Sequence, residues 1–524
     1  MYKYFWLVLV FLTAIKTYSQ TASQPLELPN FIIEGKEQID VQVGTKQMPS
    51  FPTTLSRATM DSLIIVGKPR NYIVFPITFP NTIISKKFPD GFISGNIGSF
   101  LSANISAGYK TSFKEYEIYP FGELNFSKGH LENANYTKLR LGVQTDYLAP
   151  EKFYIFGGSK TTTFINFEYK NYKLYAISSP PDRNQINFEG KIVSTGHFEG
   201  FDFNTGAILY STNQTGGGES LGENTIGGFL EIKNRTIYNN FGGRISLDLR
   251  SFENNSAPFF ETYTYGEFIS GNFKIVPELG FQFAKSSRGK NRPMVLIAAK
   301  GQIEINPQLA LFAKISNKLQ NYSFRDFLKR NPYLDDSISL DYANISELQT
   351  NIKYQPTKDL TIVLGANLSI YKRLPTFTVS NYGYFNIEYL DATIFSINAE
   401  GFWVNEIFGR ISAIAKVTSS SQNSNKKDVP LTPLLNFRTD YSRNVFDNIR
   451  TGIFFEYVGE RFADVENKFS LSNYKNLGFF VEYEPNSSLI FSCNIENLLN
   501  SNIVYWYGYK EWGFNFKLGL TYKF

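Results

Sequence analysis

The chain carries few of the side chains that do covalent or metal chemistry. Its 524 residues include only two histidines, His130 and His197, and one cysteine, Cys493. Imidazole and thiolate groups are the usual ligands of transition metals, and these three residues do not stand at metal-ligand spacing. Each histidine lies beside a predicted connection, where an exposed polar side chain is a simpler interpretation than a catalytic base. We therefore expect neither an enzyme nor a cofactor.

One stretch, 321–343, combines aromatic anchors with basic residues. Phe324, Phe327 and Leu328 are spaced as one helical turn requires, and Pro332 would end that turn. Such a loop could fold inward over an opening and narrow it or contact a ligand. Packing over the opening with no ligand explains the pattern equally well. The residues of this candidate constriction loop are Phe324, Arg325, Phe327, Arg330 and Tyr333.

The elements that would carry such a loop are β-strands, and the clearest is the last. The final thirteen residues alternate strictly between large apolar and polar or small side chains, which predicts a strand with one apolar face. At about 3.3 Å per residue and a tilt near 40°, this strand rises roughly 33 Å, more than the apolar band of about 25 Å in a transmembrane barrel. Its apolar residues are Trp512, Phe514, Phe516, Leu518, Leu520, Tyr522 and Phe524.

The same alternation recurs upstream, in segments of about ten residues, which is typical of transmembrane barrel strands. Apolar rows of this kind occupy alternate positions within 139–143, 245–249, 309–315 and 362–370. The opposite, polar face of such a strand lines the barrel lumen, although alternation alone does not distinguish the lumen from an interfacial position. The candidate lumen-lining residues are Arg244, Asp248, Arg250, Lys314 and Lys517.

The connections alternate in length, as they do between the two sides of an outer-membrane barrel. Counting strands from 91 to 524 gives twenty-one or twenty-two, and the even number requires a hairpin near 99–101. We therefore predict an all-β fold, a transmembrane antiparallel up-and-down β-barrel of about 22 strands, with 20 as the lower bound. The predicted short turns are 306–308, 356–359, 405–408, 443–448 and 485–488, and the predicted long loops are 213–224, 321–343, 372–391, 419–429, 463–475 and 499–511.

The N-terminal part divides into two predicted segments ahead of the barrel, 91–524. Residues 1–20 are typical of a cleaved secretory signal peptide, with a basic head and a short apolar stretch. Residues 21–90 contain several prolines between short apolar runs. We interpret this segment as an extended periplasmic or lumen-entering stretch, either a partial gate or partner-binding arm, or a poorly ordered leader.

Composition supports a membrane barrel and argues against nucleic acid as a partner. The chain has 49 Phe and 33 Tyr, which suit a lipid-facing wall with interfacial girdles. Its formal net charge of +5 would fall to about +3 once Lys3 and Lys16 are removed with the signal peptide. A nucleic-acid footprint would require a clustered basic face instead.

The C-terminal end resembles TonB-dependent receptors. The resemblance lies in Asn-Ile-Glu-Asn-Leu-Leu-Asn-Ser-Asn-Ile-Val-Tyr at 494–505 and Leu-Gly-Leu-Thr-Tyr-Lys-Phe at 518–524. It implies a large outer-membrane barrel, but it does not indicate a substrate. Such receptors carry a plug domain longer than the roughly seventy residues of 21–90, and no TonB box is evident near 21–35. The resemblance therefore implies a receptor-type barrel without a full plug.

Two hypotheses about function follow. The first is passage or uptake of an unknown solute across the outer membrane of a Gram-negative-type cell, through a polar lumen with loops that set selectivity. The alternative is a barrel that does not transport but acts as a scaffold, docking platform or secretion accessory, with a periplasmic or plug-like partner protein in its lumen. In both cases we expect contact with outer-membrane lipid, and recognition of the last strand by the barrel-assembly machinery.

Overall fold

The structure, a computed structural model, describes residues 90–153, 156–216, 220–234, 239–381 and 383–524. The predicted signal peptide, 1–20, and the predicted N-terminal segment, 21–90, lie outside the described residues except for Asp90. Within the described ranges no helix is long and apolar enough to cross a bilayer.

Twenty-two antiparallel strands form one closed barrel. The first strand pairs with the second and also with the last, from Phe92 opposite Lys523 to Gly98 opposite Lys517, and this pairing closes the barrel. The predicted strand number is confirmed, and so is the hairpin near 99–101, where a short 3-10 turn, Ser99–Leu101, separates the first two strands. Thr111–Phe113 continues the second strand.

The strands are numbered in chain order. They are β1 (Gly91–Gly98), β2 (Ser102–Tyr109), β3 (Tyr116–Ser127), β4 (Tyr136–Leu148), β5 (Lys160–Lys173), β6 (Asp182–Phe198), β7 (Phe201–Thr215), β8 (Ser220–Asn234), β9 (Asn239–Phe252), β10 (Phe259–Ser270), β11 (Phe273–Lys285), β12 (Asn291–Asn306), β13 (Leu309–Gln320), β14 (Ala343–Tyr354), β15 (Leu360–Asn381), β16 (Tyr384–Asn405), β17 (Gly409–Gln422), β18 (Leu435–Phe446), β19 (Ile449–Val458), β20 (Tyr474–Asn486), β21 (Leu489–Glu496) and β22 (Asn515–Lys523).

Alternation along each strand separates a lipid-facing row from an inner row. On β9, Leu247 and Leu249 are exposed, whereas the intervening Asp248 is half-buried and Arg250 is only 5% exposed. Large apolar side chains exposed on the outside of a closed barrel are the wall that lipid covers. The sequence pattern therefore determines which face of each strand turns inward.

The last strand is shorter than predicted. The alternation predicts a strand from Trp512, but the regular strand begins at Asn515, so Trp512 and Phe514 precede it. Trp512 is half-buried and packs edge-to-face on Phe100, with 5.2 Å between ring centroids, rather than joining the exposed apolar row. From Phe516 onward the predicted apolar residues are all exposed.

The two ends of the barrel differ in their connections. At one end, named here the short-turn end, most strands are joined by a few residues, as at 307–308, 355–359, 406–408, 447–448 and 487–488, although 149–159 is longer. Gly91 and Phe524 also lie there and exchange backbone hydrogen bonds of 2.9 and 3.0 Å. The opposite end, the long-loop end, carries 321–342, 423–434, 459–473 and 497–514.

The prediction of long loops at 372–391 and 213–224 is wrong, because strands occupy most of both stretches. β15 and β16 are joined at 382–383 and form one long hairpin, and β7 and β8 are joined at 216–219. Phe377 and Phe385 on the extended hairpin are fully buried, and Phe377 packs edge-to-face on Phe327, 6.0 Å between centroids. Packing against a loop distant in sequence stabilises the extension, which local composition does not reveal.

The main apolar core of the described residues lies under the loops of the long-loop end rather than between the strands. It combines side chains from four long loops and from the β15–β16 hairpin. The loops therefore pack on one another across the mouth of the barrel. Prominent members of this loop core are Phe324, Phe327, Leu328, Leu334, Phe377, Phe385, Leu431, Leu471, Trp506 and Tyr509.

Candidate functional site

A helix, α1 (Phe324–Arg330), forms where the sequence predicts a helical turn. Its start is fixed by a capping box, in which Ser323 Oγ accepts from Asp326 N and Asp326 Oδ2 accepts from Ser323 N, each at 3.0 Å. Lys329 and Arg330 occupy the last turn, where cations interact favourably with the helix dipole. The apolar side of α1 enters the loop core, which leaves its basic side for the barrel wall.

The start of α1 is held by a carboxylate of the opposite wall. Glu223 on β8 accepts hydrogen bonds from the backbone N–H groups of Phe324 and Arg325. The Arg250 guanidinium on β9 lies 2.9 Å from the same carboxylate, and both side chains are less than 5% exposed. Arg250 also donates to the carbonyl of Tyr322 at 3.0 Å. A buried carboxylate with this many donors fixes the position of the loop across the lumen.

Arg325 connects α1 to a third strand of the wall, β6. Its guanidinium pairs with the Glu189 carboxylate on β6 and lies 4.7 Å from the ring centroid of Tyr210 on β7. Further along the loop, Arg183 pairs with Asp336 at 3.1 Å. The loop thus leaves β13, crosses the mouth and reaches strands β6 to β9. Both ion pairs cross the space between loop and wall.

A polar cavity of about 220 Å³ remains between α1 and the wall. Four carboxylates and three cationic side chains line it, so its surface is charged on all sides. Partial burial and the charge of Arg325 lower the pKa of Lys329. The cavity is lined by Glu189, Tyr210, Thr212, Glu223, Thr225, Asp248, Arg250, Asn321, Ser323, Arg325, Asp326 and Lys329.

The predicted lumen-lining residues all lie on inner faces, but they do not share one site. Asp248 and Arg250 border the cavity, and Arg250 is covered by the loop instead of facing an open lumen. Arg244 pairs with Glu231 at 3.2 Å and Lys314 with Glu347 at 2.6 Å. Lys517 stands 4.9 Å from the ring centroid of Trp512. Paired charges leave much of this inner wall nearly neutral.

The predicted constriction residues divide between the loop core and the wall. Phe324 and Phe327 are buried in the loop core, whereas Arg325 contacts Glu189. Arg330 lies 4.9 Å from the ring of Tyr322, within the same loop. Tyr333 stacks on Tyr509 of the loop 497–514, with 3.5 Å between centroids. The loop therefore contacts both the wall and its neighbouring loop.

A cluster of tyrosines at the long-loop end is a second feature, which the sequence analysis missed. Tyr175, Tyr333 and Tyr509 pack together, with 4.9 Å between the centroids of Tyr175 and Tyr509. Tyr474 packs edge-to-face on Tyr505 at 5.6 Å. The spacing of Tyr505, Tyr507, Tyr509 and Glu511 at every second residue was the available signal.

Burial is the main influence on titratable groups in this cluster. Burial raises the pKa of Glu511 to about 7, and it raises the pKa of Tyr333 well above its usual value. The pKa of His130, whose Nε2 lies 2.6 Å from the carbonyl of Lys510, is lowered by burial. In the described part of the chain, no three His, Cys, Asp or Glu side chains are grouped to hold a metal ion.

These features define the class of protein. A closed barrel of twenty-two two-faced strands, with an exposed apolar wall, short turns at one end and packed loops at the other, is an outer-membrane β-barrel.

Several solved structures of outer-membrane proteins have a similar fold. The structure resembles "Copper transporter OprC" with a TM-score of 0.66 and 10% identity, covering 84% of this chain and 82% of that one. The FrpB iron transporter from Neisseria meningitidis (F3-3 variant) also matches with a TM-score of 0.66 and 10% identity, covering 84% of this chain and 82% of that one. The siderophore receptor PirA from Acinetobacter baumannii matches with a TM-score of 0.65 and 10% identity, covering 84% of this chain and 81% of that one. The fold is thus that of TonB-dependent receptor barrels. No family model and no curated protein sequence matches the chain.

Proposed function

We propose that this barrel takes up a solute across the outer membrane and that the loop 321–342 controls the passage. The observation that carries the proposal is the position of α1, which is pinned across the mouth to Glu189 and Glu223. The structurally similar proteins are named as copper and iron transporters and as a siderophore receptor, and this supports transport rather than catalysis.

The proposed gating mechanism depends on which of the contacts between α1 and the barrel wall is most easily broken. The Glu223–Arg250 pair is deeply buried, so it stays formed as part of the wall. Arg325 and Glu189 are 12% and 18% exposed, and a charged hydrogen bond of this kind contributes roughly 1.5 to 3 kcal/mol. A ligand that binds the Arg325 guanidinium or the Glu189 carboxylate would compete with this pair. Separation of Arg325 from Glu189 would free α1 from β6 and widen the passage along the cavity.

Export and assembly complete the proposal. We infer that residues 1–20 are removed as a signal peptide, and that the barrel-assembly machinery recognises the apolar row of β22 that ends at Phe524. Residues 21–90 or a plug-like partner protein would complete the closure of the lumen, because a twenty-two-stranded barrel encloses a wide interior.

The test is to replace 323–334 by a short Gly-Ser linker and to measure single-channel conductance in planar bilayers. We expect a several-fold rise over the wild type, because α1 fills part of the mouth. Replacing 423–426, an exposed stretch of a neighbouring loop, is the matched control and should leave the current at the wild-type value. An unchanged current after loss of 323–334 would refute control by this loop.

A further inference from the structure

The cavity between α1 and the barrel wall has the size and the lining of a site for a small polar molecule. Its volume is about 220 Å³, and every described residue that lines it carries a polar side chain. Pockets for drug-sized ligands are larger, about 300 Å³ or more, and mainly apolar. A small hydrophilic molecule therefore suits this cavity better than a large or apolar one.

Most of the charged groups in this cavity already have partners in the barrel. Two ion pairs, Glu223 with Arg250 and Glu189 with Arg325, neutralise four of the seven charged groups that line it. The carboxylate of Asp326 accepts two hydrogen bonds in the capping box that starts α1. These five groups hold the loop against the wall and leave two others to a ligand.

Lys329 and Asp248 are the two remaining charged groups. Lys329 lies in the last turn of α1, and it makes neither an ion pair nor a hydrogen bond with any residue that the structure describes. Asp248 on β9 accepts from the Asn321 amide at 2.7 Å through Oδ2, but it has no ion-pair partner among the described residues. The cavity thus offers one unpaired cation and one unpaired carboxylate.

A buried hydroxyl group of the same cavity also lacks a partner. Thr212 on β7 is only 2% exposed, and its Oγ makes no hydrogen bond within the described part of the chain. The Nε atom of Arg325 is likewise buried without a partner there. Buried polar atoms without partners are uncommon, because each costs the free energy of its lost hydration. A ligand that can both accept and donate hydrogen bonds would satisfy these two atoms.

We propose that this cavity binds a small zwitterion, an α-amino acid with a short polar side chain. The ligand carboxylate pairs with Lys329, the ligand ammonium group pairs with Asp248, and a side-chain hydroxyl satisfies Thr212 Oγ. An anion alone leaves Asp248 unpaired, and a cation alone leaves Lys329 unpaired. The inference rests on the proposed function, because it names a solute class whose carboxylate competes with Glu189 for Arg325, one helical turn from Lys329.

Equilibrium binding to the full-length barrel in detergent tests this site without transport. Isothermal titration at about pH 6, where α-amino and α-carboxyl groups are both charged, compares L-serine with two analogues. Serinamide lacks the carboxylate, and 3-hydroxypropanoate lacks the ammonium group. We expect serine to bind at least about tenfold more tightly than either analogue, because each analogue loses one ion pair.

Two variants assign the charges to the residues. Lys329→Gln should weaken serine binding at least about tenfold and leave serinamide unchanged, whereas Asp248→Asn should weaken serine similarly and leave 3-hydroxypropanoate unchanged. Thr212→Val should weaken serine several-fold, because a hydrogen bond is lost. Thr205→Val, on the same strand but outside the cavity, is the matched control and should keep the wild-type affinity.

Unboiled samples of each variant must keep the migration of a folded barrel, so that misfolding is recognised. Equal affinity for serine and both analogues, no serine binding up to about 100 mM, or full serine affinity in Lys329→Gln and Asp248→Asn would each overturn the proposal. Serine binding by the wild type, together with a current that does not change on loss of 323–334, would instead contradict the proposed function and leave the amino-acid site intact.

Discussion

Two carboxylates at the long-loop end show how single residues set the properties of the mouth. Glu223 is buried with Arg250 and two backbone donors, so its charge is compensated and the loop is held. Among the residues that the structure describes, Glu511 has no such partner, and burial raises its pKa. The two glutamates therefore differ in the number of donors around the carboxylate. The first carboxylate stabilises the position of the loop 321–342.

The raised pKa of Glu511 predicts a pH dependence of stability. Its pKa is about 7 in the folded barrel against 4.5 for the free side chain, so the folded state binds more protons between these values. Stability should fall as the pH rises from about 4.5 to about 7, by up to roughly 3 kcal/mol, and Glu511→Gln should flatten this part of the profile. The measurement is the unfolding free energy in urea at pH 5 and pH 8. An equal decrease in Glu511→Gln would contradict the assignment.

At the scale of elements, the sequence predicts what is local. Strict alternation identifies the strands and their inner faces, since each side chain's direction depends only on its position along the strand. The helical spacing of Phe324, Phe327 and Leu328 predicts α1, and Ser323 with Asp326 fixes where it starts. The helix needs no knowledge of the rest of the chain, because capping and periodicity are properties of a few neighbouring residues.

Contacts between distant elements explain what the sequence does not predict. The stretch 372–391 looks like a loop because it is polar and interrupted, but β15 and β16 continue through it, where Phe377 packs on Phe327 of α1 and Phe385 packs on Trp506. Arg250, a candidate lumen-lining residue, is buried under the loop 321–342 and donates to the carbonyl of Tyr322. The cluster of Tyr175, Tyr333 and Tyr509 combines three separate loops, so it could not be assigned from spacing alone.

At the scale of the whole molecule, the two chain ends close the barrel together. Gly91 and Phe524 exchange backbone hydrogen bonds, and the Phe524 ring stacks on Tyr109 at 6.0 Å. A Cβ atom at Gly91 would come within 2.5 Å of the Phe524 ring, so glycine permits this close approach. The last strand thus closes the barrel by pairing with the first.

Phe524→Ala keeps the backbone contacts and removes the aromatic side chain, so it should affect assembly more than the folded barrel. We expect a several-fold lower amount in the outer membrane, because an assembly partner that adds a strand to β22 would lose the terminal ring. The measurement is the quantity of heat-modifiable protein in outer-membrane fractions. Phe446→Ala, at an exposed phenylalanine of the short-turn end, is the control. Wild-type amounts of Phe524→Ala would show that assembly does not depend on the ring.

We propose that Glu223 anchors the start of α1 and that the Arg325–Glu189 pair holds the helix against β6, so that loss of this pair widens the passage. The most direct measurement is open probability in planar bilayers for Arg325→Glu, for Glu189→Arg and for the double exchange. Loss of about 1.4 kcal/mol shifts a closed-to-open equilibrium tenfold, so each single variant should open far more often, and the double exchange should restore closure. Glu466→Lys, in an exposed pair with Lys427, should change nothing. Single variants that stay closed, or a double exchange as open as the singles, would contradict the account.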